Sequence, residues 1–354
     1  MNKFPEDIRK QEYFQMGKMY FYTSGCRVNQ YETQWLKESI CEDKNHTVTQ
    51  NIQEASLAII NSCAVTQGAE ADCRQIIRRI KRVNPFCRIL VTGCFAKISP
   101  DEIRMVCPEA EIIPDKERLA EKKGITYFDG HRRAFLKIQD GCDAFCSYCV
   151  VPHIRNKIYS KPAQEVLSEI ESLISNGYRE IVFCGIRLGK YINLPELLKI
   201  VIEKYEKDGV NFALSSIEIQ DIDDELIDVM AFSERIVRHL HIPLQSGDNY
   251  ILHLMNRHPT RDEFLEKIMR IKRRISGVRL STDVIVGFPG ETRQHFQNTV
   301  DLIEKCGFSR MHVFKFSPRQ GTKAAALHLL KEFYVDPTEV KRRLQIFKKT
   351  LTTS

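Results

Sequence analysis

The segment DGCDAFCSYC sets Cys142, Cys146 and Cys149 in a C-x3-C-x2-C spacing. Three thiols this close match an iron-sulfur cluster that has only three protein ligands. Leaving one iron without a protein ligand has a chemical use, because an open coordination position can chelate a substrate or cofactor, as open zinc sites do. A structural zinc site is the competing assignment, with His153 as the fourth ligand in a C-x3-H spacing from Cys149. That assignment leaves a second set of three thiols unexplained. Cys26, Cys63 and Cys94 close the segments MYFYTSGC, LAIINSC and RILVTGC, each an apolar run ending in a small polar residue or glycine. In an open parallel sheet the strand C-termini share one edge, where ligands collect, so these thiols are expected to converge.

Both triads depend on elements that hold them. Between Met19 and about Phe128, short apolar runs alternate with helix-like stretches, the pattern of an open parallel-sheet α/β domain, assigned to residues 18–128. From Ala134 the alternation restarts with larger units: AFLKIQ, EIVFCG, FALSSIE, VRHLHIPLQ, VRLSTDVIVG and MHVFKFS read as strands, with helical patterns at 163–175, 194–207, 260–275 and 294–306. Six strands with crossover helices predict a partial (β/α)6 barrel over 134–340, with its site at the strand C-termini. Residues 1–17 read as a poorly ordered arm, 129–133 as a linker turning at Asp129-Gly130, and 341–354 as a basic tail or linker. Cys73 shares a helical stripe with Ile76, Ile77 and Ile80 and is assigned to the core, and Cys41, Cys87, Cys107, Cys184 and Cys306 default to packing.

Among the barrel strands, STDVIVGFPGE ends in a glycine turn and presents Asp283, Ile285, Gly287 and Glu291. A glycine at 287 lets the backbone approach a planar ring. Glu218 and Gln245 close two other strands, where they either contact a ligand or cap the next helix. The 354 residues are 43% hydrophobic and 28% charged, a globular composition that excludes disorder as the main state. No uncharged apolar run approaches the roughly 18 residues needed to cross a bilayer, and the first residues lack a secretory core. The expectation is a cytoplasmic protein with no membrane partner, whose 12 cysteines are not a disulfide framework. A net charge of +7 suits a polyanionic partner.

The central motif at the end of a first barrel strand resembles the radical S-adenosylmethionine (SAM) superfamily, and STDVIVGFPGE resembles the segment that lies along the adenine of SAM there. The two triads together resemble the methylthiotransferase family of radical-SAM enzymes over about residues 18–345. The matching stretches are YTSGCRVNQYET, NSCAVT, VTGC, GCDAFCSYCVVP, HIPLQSG, LMNR, STDVIVGFPGET and SPRQGTKAA. The resemblance implies two 4Fe-4S clusters. Cys26, Cys63 and Cys94 would hold an auxiliary one involved in sulfur delivery, while Cys142, Cys146 and Cys149 would hold the catalytic SAM cluster. It implies SAM contacts at Glu218, Gln245, Asp283, Ile285 and Gly287, an electron donor such as flavodoxin or ferredoxin, and a sulfur source. GCRVNQYET is similar to the subgroup that modifies N6-threonylcarbamoyladenosine in tRNA, which implies a 2-methylthio product next to the anticodon.

The sequence departs from the family pattern at Asn156, Lys161 and Arg187, where substrate contacts come into question, and it stops where relatives continue into a small RNA-binding β-barrel, which is apparently absent. Arg74, Arg78, Lys81 and Arg82 form one basic group, Lys267, Arg270, Lys272, Arg273 and Arg274 a second, and Lys341, Arg342 and Arg343 a third. Each is a candidate phosphate contact or a solvated face. The alternatives are a methylthiotransferase acting on another tRNA adenosine or a ribosomal protein, and a non-catalytic metal- and RNA-binding protein.

Overall fold

The computed structural model describes residues 17–41, 46–119 and 124–352. The expected arm therefore lies outside the described residues except for Gly17, which begins the first strand. The chain divides into two units, one made of the described residues up to Phe135 plus Leu167–Gly177, the other of Leu136–Val166 and the residues from Tyr178 onward.

In the first unit β1 (Gly17–Thr23), β2 (His46–Val48), β3 (Leu57–Ser62), β4 (Arg88–Gly93) and β5 (Glu111–Ile112) form a parallel sheet ordered β2-β1-β3-β4-β5. Every residue of β3 is buried, as a central parallel strand covered on both faces requires. The helix Gln67–Val83 starts where the Thr66 side chain accepts from Ala69 N–H, and it turns Cys73, Ile76, Ile77 and Ile80 inward. Burial pushes the Cys73 thiol up to about 12, the mark of a packing residue. Cys87, Cys107, Cys184 and Cys306 are also buried, and Cys41 packs half-buried against the Met19, Leu36 and Leu57 cluster.

β6 (Ala134–Lys137) crosses the boundary between the units, and the second unit continues with β7 (Gln139–Asp140), β8 (Tyr159–Ser160), β9 (Glu180–Cys184), β10 (Asn211–Leu214), β11 (His239–His241), β12 (Arg279–Val286) and β13 (Arg310–Lys315). These strands are ordered β10-β9-β6 and β11-β12-β13, and parallel bridges from Phe212 to Ile236 and from Ser216 to His241 join the β10 and β11 regions. Six strands thus follow one another in chain order, with helices Ala163–Ser175, Leu194–Lys204, Arg261–Arg274 and Arg293–Cys306 over the predicted stretches. AFLKIQ splits into β6 and β7, and β7 pairs antiparallel with β8 to form a small hairpin whose connection carries the central cysteines. FALSSIE leaves the strand at Leu214, so Glu218 lies outside it.

The stretch read as a basic tail is instead mostly helix, Pro337–Thr352. Val340 and Phe347 are buried, and the Arg343 side chain is 2% exposed. The signal was present, since Val340, Leu344 and Phe347 recur at i, i+4 and i+7, but the basic residues between them masked it. Among the described residues no helix is long and apolar enough to cross a membrane.

Candidate functional site

At the C-terminal edge of the first sheet, Cys63 and Cys94 directly follow β3 and β4, and Cys26 stands at the start of the helix Arg27–Cys41. Buried polar groups stitch these strand ends together. Asn29 Nδ2 donates to the carbonyls of Ser24 (2.9 Å) and Ser62 (3.3 Å), and Asn61 Nδ2 donates to Asn29 O (2.9 Å) and Thr33 Oγ1 (3.0 Å). Ser24 Oγ accepts from Cys63 N–H at 3.0 Å. Gly25, at φ +97°, lies so close to Cys63 that an added Cβ would stand 2.5 Å from its Cβ and 2.6 Å from its Sγ. The segments bearing Cys26 and Cys63 are therefore in van der Waals contact. Cys26 is exposed while Cys63 and Cys94 are buried. In GCRVNQYET, Tyr31 donates to Glu169 (2.6 Å), Glu32 pairs with buried Lys116, and Asn29 and Thr33 serve the strand ends. These side chains position the cysteine-bearing loop.

The central triad lies on the loop between β7 and β8. Gly141, at φ +84°, packs where any side chain would strike the Lys157 carbonyl. Asp140 holds the base of the loop, accepting from Lys137 Nζ (2.7 Å) and from Arg155 Nη1 (2.9 Å). Gln139 Nε2 donates to the carbonyls of Asp140 (2.8 Å) and Gly141 (2.9 Å), and its Oε1 accepts from Arg187 N–H (2.8 Å). Arg187 grips Asp221 through Nε and Nη2, both at 2.8 Å, and reaches Asp143, between two of the cysteines, through Nη1 at 2.7 Å. Burial opposes ionisation of Asp143, but Arg187 and Lys190 hold its carboxyl below the usual range. The family departure at Arg187 thus braces the cysteine loop, a role that no local spacing reveals.

Cys142, Cys146 and Cys149 are all half-buried. Burial pushes the Cys142 thiol up, and it carries Cys149 to about 12, with the Cys146 and Cys142 charges adding and Arg257 opposing. Cys146 therefore lies close enough to Cys142 and Cys149 to act on the ionisation of both. Three soft donors carried on one loop, itself fixed by hydrogen bonds, fit a thiolate-bound iron-sulfur cluster. His153 stacks edge-on to Phe145 at 5.6 Å, and Tyr148 packs edge-on to Phe288 at 6.5 Å.

The remaining candidates divide. Gln245, Asp283 and Ile285 come together, because Gln245 N–H donates to Asp283 O (2.8 Å) and Ile285 N–H to Gln245 O (2.9 Å). Gln245 is held at φ +66°, and its buried Oε1 has no hydrogen-bond partner, an acceptor suited to a ligand donor. Asp283 is engaged within the protein: His241 Nε2 lies 3.1 Å from one carboxylate oxygen and His312 Nδ1 3.1 Å from the other. Burial opposes its ionisation, and the two imidazoles outweigh burial and hold its carboxyl low. Sequence reasoning missed both histidines, although His312 is the register partner of Asp283 on β13 and so shares its face of the sheet.

Glu218 holds Arg257 bidentately, at 3.1 and 2.6 Å. Gly287, at φ +73°, does not leave open room for a ring on its side-chain side, since an added Cβ would stand 2.6 Å from Val340 Cγ2. Its N–H instead donates to Glu291 (2.7 Å), which pairs with Arg343.

The basic groups also divide. Arg74 pairs with Glu102, Lys81 with Glu109, Arg270 with Asp224, and Arg274 with Asp224 and Asp228. Arg343 is buried on Glu291, which removes it from the third group as a phosphate contact. Arg78 and Arg82 stay exposed on the helix Gln67–Val83.

Residues 136–303 match the Radical SAM superfamily, and residues 18–114 match the family described as Uncharacterized protein family UPF0004. The fold is similar to that of the radical S-adenosylmethionine methyltransferase TsrM from Kitasatospora setae (TM-score 0.62, 14% identity, 88% of this chain and 77% of that one). These features define a radical-SAM enzyme with an additional N-terminal α/β unit. Among curated proteins, the chain is 38% identical to threonylcarbamoyladenosine tRNA methylthiotransferase MtaB of Chlamydia pneumoniae, covering 85% of this chain and 75% of the relative. It is 37% identical to that of Bacillus subtilis, covering 88% and 76%. A tRNA-2-methylthio-N(6)-dimethylallyladenosine synthase of Finegoldia magna is 30% identical over 85% of this chain and 73% of its own length. The chain belongs to the radical-SAM methylthiotransferase family.

Proposed function

We propose that this enzyme inserts a methylthio group at C2 of N6-threonylcarbamoyladenosine, next to the anticodon of tRNA. The observation that carries the reading is the pair of cysteine triads, one at the strand ends of a parallel sheet and one on a braced loop, in a chain whose more similar relatives bear the threonylcarbamoyladenosine name. A C2–H of adenine is neither acidic nor attached to a leaving group, so acid-base or nucleophilic side chains have little to act on. When bound, a 4Fe-4S cluster with SAM supplies radical chemistry that can attack such a bond. Cys142, Cys146 and Cys149 would hold that cluster, and Gln245, with its open Oε1, and Ile285 would line the cofactor. Cys26, Cys63 and Cys94 would hold an auxiliary 4Fe-4S cluster involved in sulfur delivery. An external one-electron donor of the flavodoxin or ferredoxin class and a sulfur source complete the reaction, in the cytoplasm.

Mass spectrometry of tRNA nucleosides from cells lacking the gene tests the substrate. The expected result is loss of 2-methylthio-N6-threonylcarbamoyladenosine with its unmodified parent retained, restored by the wild-type gene. Cys142→Ala should fail to restore it and should release no 5′-deoxyadenosine in vitro, whereas Cys26→Ala should fail to restore it while still cleaving SAM. Unchanged nucleosides in the deletion strain, or full restoration by Cys26→Ala, would overturn the assignment.

A further inference from the structure

Arg257 follows the helix Asn249–Leu254, whose start is capped by Asp248. Its side chain is 6% exposed. Nη1 lies 3.9 Å from Cys146 Sγ and 3.1 Å from Glu218 Oε1, and Nη2 donates to Glu218 Oε2 at 2.6 Å and to Pro243 O at 2.8 Å. The residues just before it bind the cysteine loop directly: Ser147 N–H donates to Met255 O (2.9 Å), and Asn256 Nδ2 donates to Phe145 O (3.0 Å). A buried cation is therefore fixed against one ligand sulfur from two sides, by its acceptors and by the backbone that carries it.

We propose that Arg257 and Glu218 form a fixed charge pair that sets the reduction potential of the cluster held by Cys142, Cys146 and Cys149. The inference rests on the reading of that triad as the SAM cluster. The step concerned is one-electron reduction, in which a donor of the ferredoxin or flavodoxin class is oxidised and the cluster gains one negative charge. Iron-sulfur potentials respond to net charge, to hydrogen bonds on the sulfurs and to solvent exposure. A guanidinium beside Cys146 favours the more negative, reduced cluster, and its burial keeps water and salt from screening it. Glu218 acts in the opposite sense, and it also holds the guanidinium in place. Together they leave a net field smaller than that of a lone cation, at a site where an unpaired buried charge would be costly. Arg257 is a positioning and tuning residue, since its contact is with a ligand sulfur.

The test is an EPR-monitored redox titration of the anaerobically reconstituted holoenzyme. The relevant cluster is identified as the signal whose shape changes when SAM is added. Arg257→Met should lower its midpoint potential and Glu218→Gln should raise it, while Arg257→Lys should stay nearer the wild type than Arg257→Met. Potentials equal to wild type in both Arg257→Met and Glu218→Gln, at full iron content, would overturn the proposal. If Arg257→Met fails to take up iron, the near-isosteric Glu218→Gln decides, and an unmoved or lowered potential overturns the proposal. Failure of the wild-type triad to bind a SAM-responsive cluster would instead overturn the functional reading beneath it.

Discussion

Cys149 carries a thiol that burial pushes up to about 12, and the Cys142 thiol is raised for the same reason. Both are protonated at neutral pH without iron, whereas iron is bound by thiolates, so loading the triad must release protons. The sign follows: each raised group resists ionisation, and falling pH strengthens that resistance. Iron uptake by the metal-free protein, followed by its visible absorption, should therefore slow and weaken as pH is lowered from about 8.5 to about 6.5. A rate independent of pH would mean that the thiols are already ionised. The cysteines themselves were legible because ligand spacing is local. Arg257 was not, since it meets Cys146 across 111 residues and nothing in LMNR reveals its partner.

At the scale of elements, periodicity identified the central strands and the four crossover helices, because alternation and 3.6-residue stripes are properties of a segment alone. It lost the end of FALSSIE, where a strand gives way to the short helical turn Ile219–Asp221, and it lost the C-terminal helix. That helix is anchored by Arg343, which lies over the Phe296 ring at 5.4 Å and donates to the carbonyl of Glu291 at 3.0 Å as well as to its carboxylate. Arg343→Met would leave the Glu291 carboxylate buried without its cation, a loss of about 3–5 kcal/mol by analogy with other broken buried pairs. Urea denaturation should show a lower midpoint, and hydrogen exchange should rise at Gly287, whose N–H the Glu291 carboxylate accepts. An unchanged midpoint would show that the pair contributes no net stability.

Taken whole, the molecule carries an excess of cations, yet half of the basic residues in the clusters face acidic partners. Arg270 and Arg274 are committed to the helix Asp224–Phe232, and only some positions, Arg78 and Arg82 among them, stand exposed. Charge counting along a sequence cannot make this distinction, because neutralisation happens across the fold. Arg78→Ala with Arg82→Ala should lower tRNA affinity and flatten the slope of log affinity against log salt by roughly one per arginine. Arg270→Ala with Arg274→Ala should leave the slope in place. Filter binding across a salt series checks both, and equal slopes for the wild type and the Arg78/Arg82 variant would remove that helix from the interface.

The tie between Glu291 and Arg343 also has an order in time. Translation produces the glutamate 52 residues before its arginine, so a nascent chain carries the turn after β12 with its carboxylate still in water. Only when the helix Pro337–Thr352 arrives can that carboxylate be buried and Val340 close over Gly287. The segment bearing Ile285 and Gly287 therefore acquires its final shape only after the helix Pro337–Thr352 has been made, and this wall of the site waits on residues far downstream of it.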